Sequence, residues 1–362
     1  MHHCGLAGRP VQQVNTPALL LDMDAAQRNI RKMAELFRGR ECKLRPHFKT
    51  HKLPILAHMQ MSAGAVGITC AKLAEAEDLL LSGIENVLIA NQIVGAQKIA
   101  KLASLARYGR LMVCIDDYSN AAEIARAAGA AGVRLGVLAE VNVGLNRCGV
   151  NPGRPALNFV RKVLELPNID FRGLMGYEGG VFVKDPAEKA EICKKSNALL
   201  VETAELIRGE GIPVEVVSSG GSNTINQTGL YPGITDIQVG SYVTMDSHNR
   251  EFGIDFEQAV FVLSTIISRP ESGRAVMDAG KKAFSCDAGM PGFVEPGFAI
   301  TMLCEEHGIL GLAEEAEHLR IGDKVMVIPS HGCTTIPLYD EYIAVRGDTV
   351  EAVLPIRTRQ TS

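Results

Sequence analysis

Three stretches of this chain concentrate side chains that could do chemistry. Arg45-Pro-His-Phe-Lys-Thr-His-Lys52 places a lysine amine among imidazoles and further cations. An amine that attacks a carbonyl must first lose its proton, and burial beside Arg45, His47 and Lys52 would favour the neutral form of Lys49. Read alone, the stretch also suits a solvated turn. Ser218-Ser-Gly-Gly-Ser-Asn-Thr224 sets consecutive glycines before Ser222. Bare backbone N–H groups and a hydroxyl are what loops and helix starts use to grip phosphate, although such a stretch is also an ordinary turn. Pro329-Ser-His-Gly-Cys-Thr-Thr335 carries His331 and Cys333 two residues apart. In an extended segment, positions i and i+2 point to the same side, so the pair could meet on one ion. Arg147, within Val141-Asn-Val-Gly-Leu-Asn-Arg-Cys-Gly-Val150, and Tyr177, within Gly176-Tyr-Glu-Gly-Gly180, follow apolar runs. Taken alone, they read as a loop arginine and a core tyrosine.

The bulk properties narrow the setting. The chain has 362 residues, 46% hydrophobic and 22% charged, the balance of a globular protein with room for a large domain and a smaller one. A net charge of −4 with no basic stretch argues against a nucleic-acid surface. Apolar runs such as 259–267 are too short for a bilayer, and Met1–Pro10 has no apolar core of a signal peptide. His2 and His3 are given no chemistry. The nine cysteines, Cys4 among them, include no C-x-x-C pair, which points to reduced thiols in the cytoplasm.

These residues need elements to position them. Between about residues 18 and 243, eight strand-like runs (44–49, 66–70, 87–91, 111–116, 135–141, 171–177, 214–218 and 237–243) alternate with helix-like stretches (among them 71–82, 95–106, 120–128 and 187–209). Gly64, Gly83, Gly129 and Gly211 read as helix stops. Eight such repeats suggest a (β/α)8 barrel, with an open doubly wound sheet as the alternative. In a barrel, Lys49, Arg147, Tyr177 and the 218–224 loop all fall at the C-terminal ends of strands, where barrel enzymes build their sites. After about Ile254 the texture becomes β-rich, with runs at 259–268, 274–278, 298–304, 324–328 and 342–345. The expected division is 18–250 for the barrel and 251–362, with 1–17, for an all-β domain. The run 17–22 could pair with either.

The motifs, taken in order, resemble the D-threonine aldolase and D-serine dehydratase family of alanine-racemase-like (fold type III) pyridoxal-phosphate enzymes. The resemblance runs from Thr16-Pro-Ala-Leu-Leu-Leu-Asp22 through the Arg45–Lys52 motif to about Ile356. It implies a barrel followed by a β domain. It also implies that Lys49 carries the cofactor as an imine, with His47 in the same motif, and that Arg147 lies near the cofactor's phenolic oxygen with Tyr177 beside it. Gly221, Ser222 and Asn223, together with Gly240, Ser241 and Tyr242, would form the phosphate cup. His331 and Cys333 would bind a divalent metal, and the enzyme would be a homodimer.

The same resemblance implies a lyase that cleaves D-3-hydroxy-amino acids to glycine and an aldehyde. The alternative is a D-serine or D-3-hydroxyaspartate dehydratase. Cys333 is the dehydratase-like choice, since a thiolate suits zinc, whereas an aspartate there would suit manganese or magnesium. The segments 279–283, 287–289, 339–346 and 354–356 look more like the aldolases. Val181–Lys184 lacks the histidine that some aldolases carry after Tyr-x-Gly. A metal-free racemase has no use for His331 and Cys333, and a barrel-only cofactor carrier would lack the β domain. His307 is a further candidate, equally readable as a turn residue.

Overall fold

The computed structural model describes residues 5–179 and 181–359, so His2, His3, Cys4 and Gly180 lie outside it. It divides into two compact units. One contains 33–49 and 54–240. The other takes in the chain up to Lys32, Thr50–Leu53 and the chain from Ser241. The first strand, β1 (Ala18–Asp22), belongs to the second of these.

Short aliphatic runs buried on both faces can only pair as a parallel sheet covered by helices. This is the fate of β2 (Lys43–Leu44), β3 (Ile68–Cys70), β4 (Asn86–Ile89), β5 (Arg110–Ile115), β6 (Leu135–Glu140), β7 (Ile169–Met175), β8 (Val216–Ser219) and β9 (Asp236–Ile237). They are parallel, in the order β2-β9-β8-β7-β6-β5-β4-β3. The sheet's two ends also meet. Val66 N–H donates to the Leu44 carbonyl (2.8 Å), Thr69 N–H to Pro46 (2.8 Å) and Phe48 N–H to Thr69 (2.7 Å). A bridge between His47 and Thr69 completes the ring of the eight-stranded barrel. Helices connect successive strands: α1 (Met23–Phe37), α2 (Pro54–Ser62), α3 (Leu73–Leu81), α4 (Ala96–Leu105), α5 (Tyr118–Ala131), α6 (Arg154–Val163), α7 (Pro186–Gly209) and α8 (Ile225–Thr228). Leu88, Met112, Cys114, Leu138 and Met175 form one buried cluster of this unit, with Tyr177 packed against it.

Gly129 does not stop its helix as expected. It lies inside α5, and the stop is Gly132, in the left-handed region at φ 66°. Gly129 is instead a close approach, because a Cβ there would sit 2.6 Å from the Asn168 amide nitrogen.

The second unit holds the remaining strands: β10 (Val260–Glu271), β11 (Arg274–Met277), β12 (Gly292–Phe293), β13 (Phe298–Leu303), β14 (Gly308–Leu312), β15 (Lys324–Ile328), β16 (Glu341–Arg346) and β17 (Thr349–Pro355). Their main path is β13-β14-β11-β10-β1-β16-β17, with β15 also on β10 and β12 on β15. Strand β1 is central, antiparallel to β10 and parallel to β16. Its Ala18 and Leu20 share a core with Val14, Leu263, Ile343, Val345 and Val350. Strand pairing thus moves residues 18–22 out of the expected barrel segment, and the later boundary falls at Gly240/Ser241 instead of 250/251. Two short helices complete this unit, α9 (Ser247–Glu251) and α10 (Gly332–Thr335). Among the described residues no helix is long and apolar enough to cross a membrane.

Candidate active site

In the barrel unit the candidate residues gather at the C-terminal ends of the strands. Lys49 lies in the turn after the His47 bridge. Its backbone N–H donates to His47 Nδ1 at 3.4 Å, and His47 is itself buried. The side chain of Lys49 is exposed, contrary to the expected burial. Of its expected cationic neighbours, His47 stays beside it, while Arg45 and Lys52 are paired elsewhere. The Arg45 guanidinium donates to Asp236 (3.0 Å) and Asn86 (3.1 Å), residues that begin β9 and β4 at the opposite, N-terminal ends of the strands. The Lys52 ammonium donates to the Thr358 carbonyl at 3.1 Å within the β unit.

After β6 the chain turns back on itself. Val150 N–H donates to the Glu140 carbonyl and Asn142 N–H to Val150, each at 2.9 Å. Asn142 Oδ1 accepts from the amides of Gly144 and Asn146, both at 3.1 Å. This loop carries Arg147, exposed, with its guanidinium carbon 5.4 Å from the Tyr177 ring centre, a cation–π distance. Arg147 also pairs with buried Glu140 at 3.5 Å. Burial raises the Glu140 carboxyl above its ordinary range, while the Gln92 amide (2.6 Å) and Arg147 oppose that shift.

The glycine loop after β8 meets the same ring, since a Cβ on Gly221 would lie 3.7 Å from Tyr177. Gly220 adopts φ 78°, which favours glycine. Ser222–Thr224 forms a helical turn, and Ser222 Oγ accepts from Gly240 N–H at 3.1 Å. The loops after β8 and β9 are therefore tied together. The Asn223 side chain is committed to structure: it donates to the Val181 carbonyl (2.6 Å) and accepts from Lys189 Nζ (2.8 Å). What Asn223 retains for an anion is its backbone. Ser241 and Tyr242 begin the β unit, where Tyr242 is buried edge-on to Phe256 at 5.5 Å.

One residue of this region escaped sequence reasoning. Glu178, buried next to Tyr177, accepts from Gly220 N–H (3.2 Å), Ser219 Oγ (3.3 Å) and Thr228 Oγ1 (2.7 Å). It fastens both ends of the glycine loop. Its only signal in the sequence was a carboxylate in the glycine-rich stretch Gly176-Tyr-Glu-Gly-Gly180.

In the β unit, His331 and Cys333 do meet, though not through an extended segment. His331 is the N-cap of α10, and Cys333 lies in its first turn. Their side chains are hydrogen-bonded, which is the main reason the His331 imidazole is pushed up to about 9. Thr50 Oγ1 lies 3.3 Å from Cys333 Sγ. On its other side, His331 Nδ1 is 2.7 Å from Asp287 Oδ2. Asp287 Oδ1 accepts from Ser285 Oγ (2.7 Å) and Thr334 Oγ1 (2.8 Å). Partial desolvation works to raise the Asp287 carboxyl, but Ser285, His331 and Thr334 together outweigh it and hold the group down at about 2. Among the described residues no cluster of three or more His, Cys, Asp or Glu side chains is arranged to hold a metal. The pair His331 and Cys333 would leave coordination positions for other ligands. His307 is exposed in the turn between β13 and β14, where its carbonyl accepts from Cys304 N–H.

Comparison with known proteins places this geometry in a group. The model of the alanine racemase N-terminal domain matches residues 21–248, and a serine dehydratase domain model matches 259–345. The chain is 34% identical to the D-threonine aldolase of Arthrobacter sp over 361 residues, 97% of this chain and 94% of that protein. The crystal structure of D-threonine aldolase from Filomicrobium marinum superposes with a TM-score of 0.94 at 37% identity, covering 98% of each chain. A cysteine-to-alanine mutant of D-threo-3-hydroxyaspartate dehydratase, solved in the metal-free form, superposes with a TM-score of 0.86 at 27% identity over 96% of this chain and 98% of that one.

Proposed function

Because the chain belongs to the alanine racemase N-terminal-domain family, within a group of lyases, we propose that it is a pyridoxal-phosphate- and metal-dependent lyase of D-3-hydroxy-amino acids. It would release glycine and an aldehyde, as the D-threonine aldolases it resembles are named for doing. The observation that carries this reading is the similarity to D-threonine aldolases over nearly the whole chain; the hydrogen-bonded pair His331 and Cys333 supports a metal in either lyase reaction.

The residues present fit both groups. For the cofactor, Lys49 offers an amine that makes no hydrogen bond or ion pair among the described residues. Gly221 leaves bare the space beside Tyr177 that a Cβ would take. Arg147 supplies a cation over that ring, suited to an anionic oxygen of a planar ligand. The helical turn Ser222–Thr224 directly follows the glycine loop, a helix start of the kind suited to phosphate. Pyridoxal phosphate, when bound, accepts the electron pair left at the substrate's α-carbon. For the metal, an imidazole and a thiol in contact are a borderline-soft donor set that favours zinc, with room for further ligands. A divalent ion held there lowers the pKa of a hydroxyl bound to it.

The chain's own contributions follow. In the aldolase reaction the β-hydroxyl loses its proton, the Cα–Cβ bond breaks, and the α-carbon regains a proton to give glycine. In the second reading, a dehydratase, Lys49 would take the α-proton and the β-hydroxyl would leave. Cys333 favours that second reading, as does the likeness to a dehydratase whose cysteine mutant is described in a metal-free form. Incubation with D-threonine separates them. Glycine with acetaldehyde is expected; 2-oxobutyrate with ammonia would establish the dehydratase, and neither product would reject both.

A further inference from the structure

The imidazole of His331 has two nitrogens, and the structure commits one of them. Nδ1 lies 2.7 Å from Asp287 Oδ2. Asp287 Oδ1 is held by the hydroxyls of Ser285 at 2.7 Å and Thr334 at 2.8 Å. An ionised carboxylate only accepts, so the proton on this contact belongs to Nδ1. The nitrogen left for a ligand role is Nε2.

The arrangement is built, not incidental to a mobile side chain. Thr334 belongs to α10, and its hydroxyl also approaches the His331 carbonyl at 3.3 Å. Ser285 is tied to the same short helix, its N–H donating to Thr335 Oγ1 (3.2 Å), while its carbonyl accepts from Ser330 Oγ (3.1 Å). The helix start is itself anchored, with Gly332 N–H donating to buried Asp246 at 2.9 Å. Asp287, His331 and Cys333 thus form a series in which the carboxylate sets the ring and the ring meets the thiol.

We infer that Asp287 is a positioning residue that accepts from His331 Nδ1 and fixes the ring, so that Nε2 and Cys333 Sγ are offered as the ligand pair. A carboxylate behind a ligating histidine fixes ring orientation and raises its basicity, and its loss typically weakens metal affinity about 10- to 100-fold. The inference rests on the metal-binding role proposed above for His331 and Cys333.

The test is zinc affinity of the full-length, cofactor-loaded protein by chelator competition, together with activity on D-threonine as a function of added zinc. Asp287→Ala is expected to bind zinc about 10- to 100-fold more weakly, to need correspondingly more zinc for half-maximal rate, and to keep most of the kcat at saturation. A residue needed only for folding would lower kcat and the thermal midpoint without moving zinc affinity. Unchanged affinity in a folded Asp287→Ala protein overturns the inference and leaves the pair's role intact. Should that variant fail to fold, Asp287→Leu, which cannot accept from Nδ1, decides, and an unchanged affinity there overturns the inference equally. If the unmodified protein binds no zinc, or His331→Ala binds it as well, the reading of the pair itself fails.

Discussion

Glu178 illustrates how a residue outside any catalytic motif can govern one. Replacing it with alanine would leave the Gly220 amide and two hydroxyls without their acceptor in a buried place. Each group left unsatisfied costs about 1–3 kcal/mol, so Glu178→Ala should lose at least about 3 kcal/mol in urea unfolding. Cofactor affinity should fall with it, because the glycine loop would lose its fixed shape. Lys49 makes the opposite prediction: an exposed side chain, it should be removable at little cost in stability. Lys49→Ala should nevertheless lower the lyase rate by at least about 100-fold and abolish the visible absorbance of bound cofactor. An absorbance band that survives dialysis in this variant would rule out the lysine as the attachment point. Sequence reasoning singled out Lys49 from its motif but not Glu178 or Asp287. Asp287 reaches His331 from 44 positions away in the chain, and only the folded β unit makes them neighbours. The expected burial of Lys49 failed, and Arg45 and Lys52, four and three residues away, bond to Asp236 and the Thr358 carbonyl.

The longer strands of the barrel were legible because they are aliphatic runs between helical stretches, and hydrophobic burial decides such runs locally, whereas β2 and β9 are two residues each. Helix ends were harder. Gly129 and Gly132 look alike in sequence, yet the first makes room for Asn168 and the second supplies the left-handed turn. The H-x-C pair was found for the wrong geometric reason, since α10 replaces the extended segment and the histidine caps the helix that carries the cysteine. Across strands, the ion pair of Arg45 with Asp236 joins the start of β9 to the residue following β2, both side chains only 4% exposed. Asp236 also accepts from Ser218 Oγ of β8. Removing the carboxylate strands a buried guanidinium, which typically costs about 3–5 kcal/mol. Asp236→Ala should therefore show a large drop in the urea midpoint. A drop no greater than that of an exposed pair such as Arg28–Glu257 would show that Asn86 alone suffices to hold Arg45.

At the scale of the molecule, the division into two units was legible as a change of texture, but the path of the chain between them was not. Composition cannot tell that a strand at residues 18–22 lies between β10 and β16, because pairing partners far apart in sequence leave no local mark. A fragment of residues 251–362 would lack this central strand and should remain without a cooperative thermal transition. Supplying residues 5–22 through a short linker should restore one. A cooperative transition in the bare fragment would mean that β10 and β16 can close the gap themselves. The position of β1 also has a consequence in time. Ala18 pairs with Leu263 and Leu20 with Ile343, so on the ribosome this strand emerges before the barrel strands, whereas its neighbours emerge after them. Through the synthesis of the whole barrel, four successive apolar residues, Ala18 to Leu21, wait for their partners. Long-range pairing of this kind is slow and open to aggregation. Yield in the cell should therefore depend on chaperone supply and on the rate of translation more steeply than the stability of the finished protein would suggest.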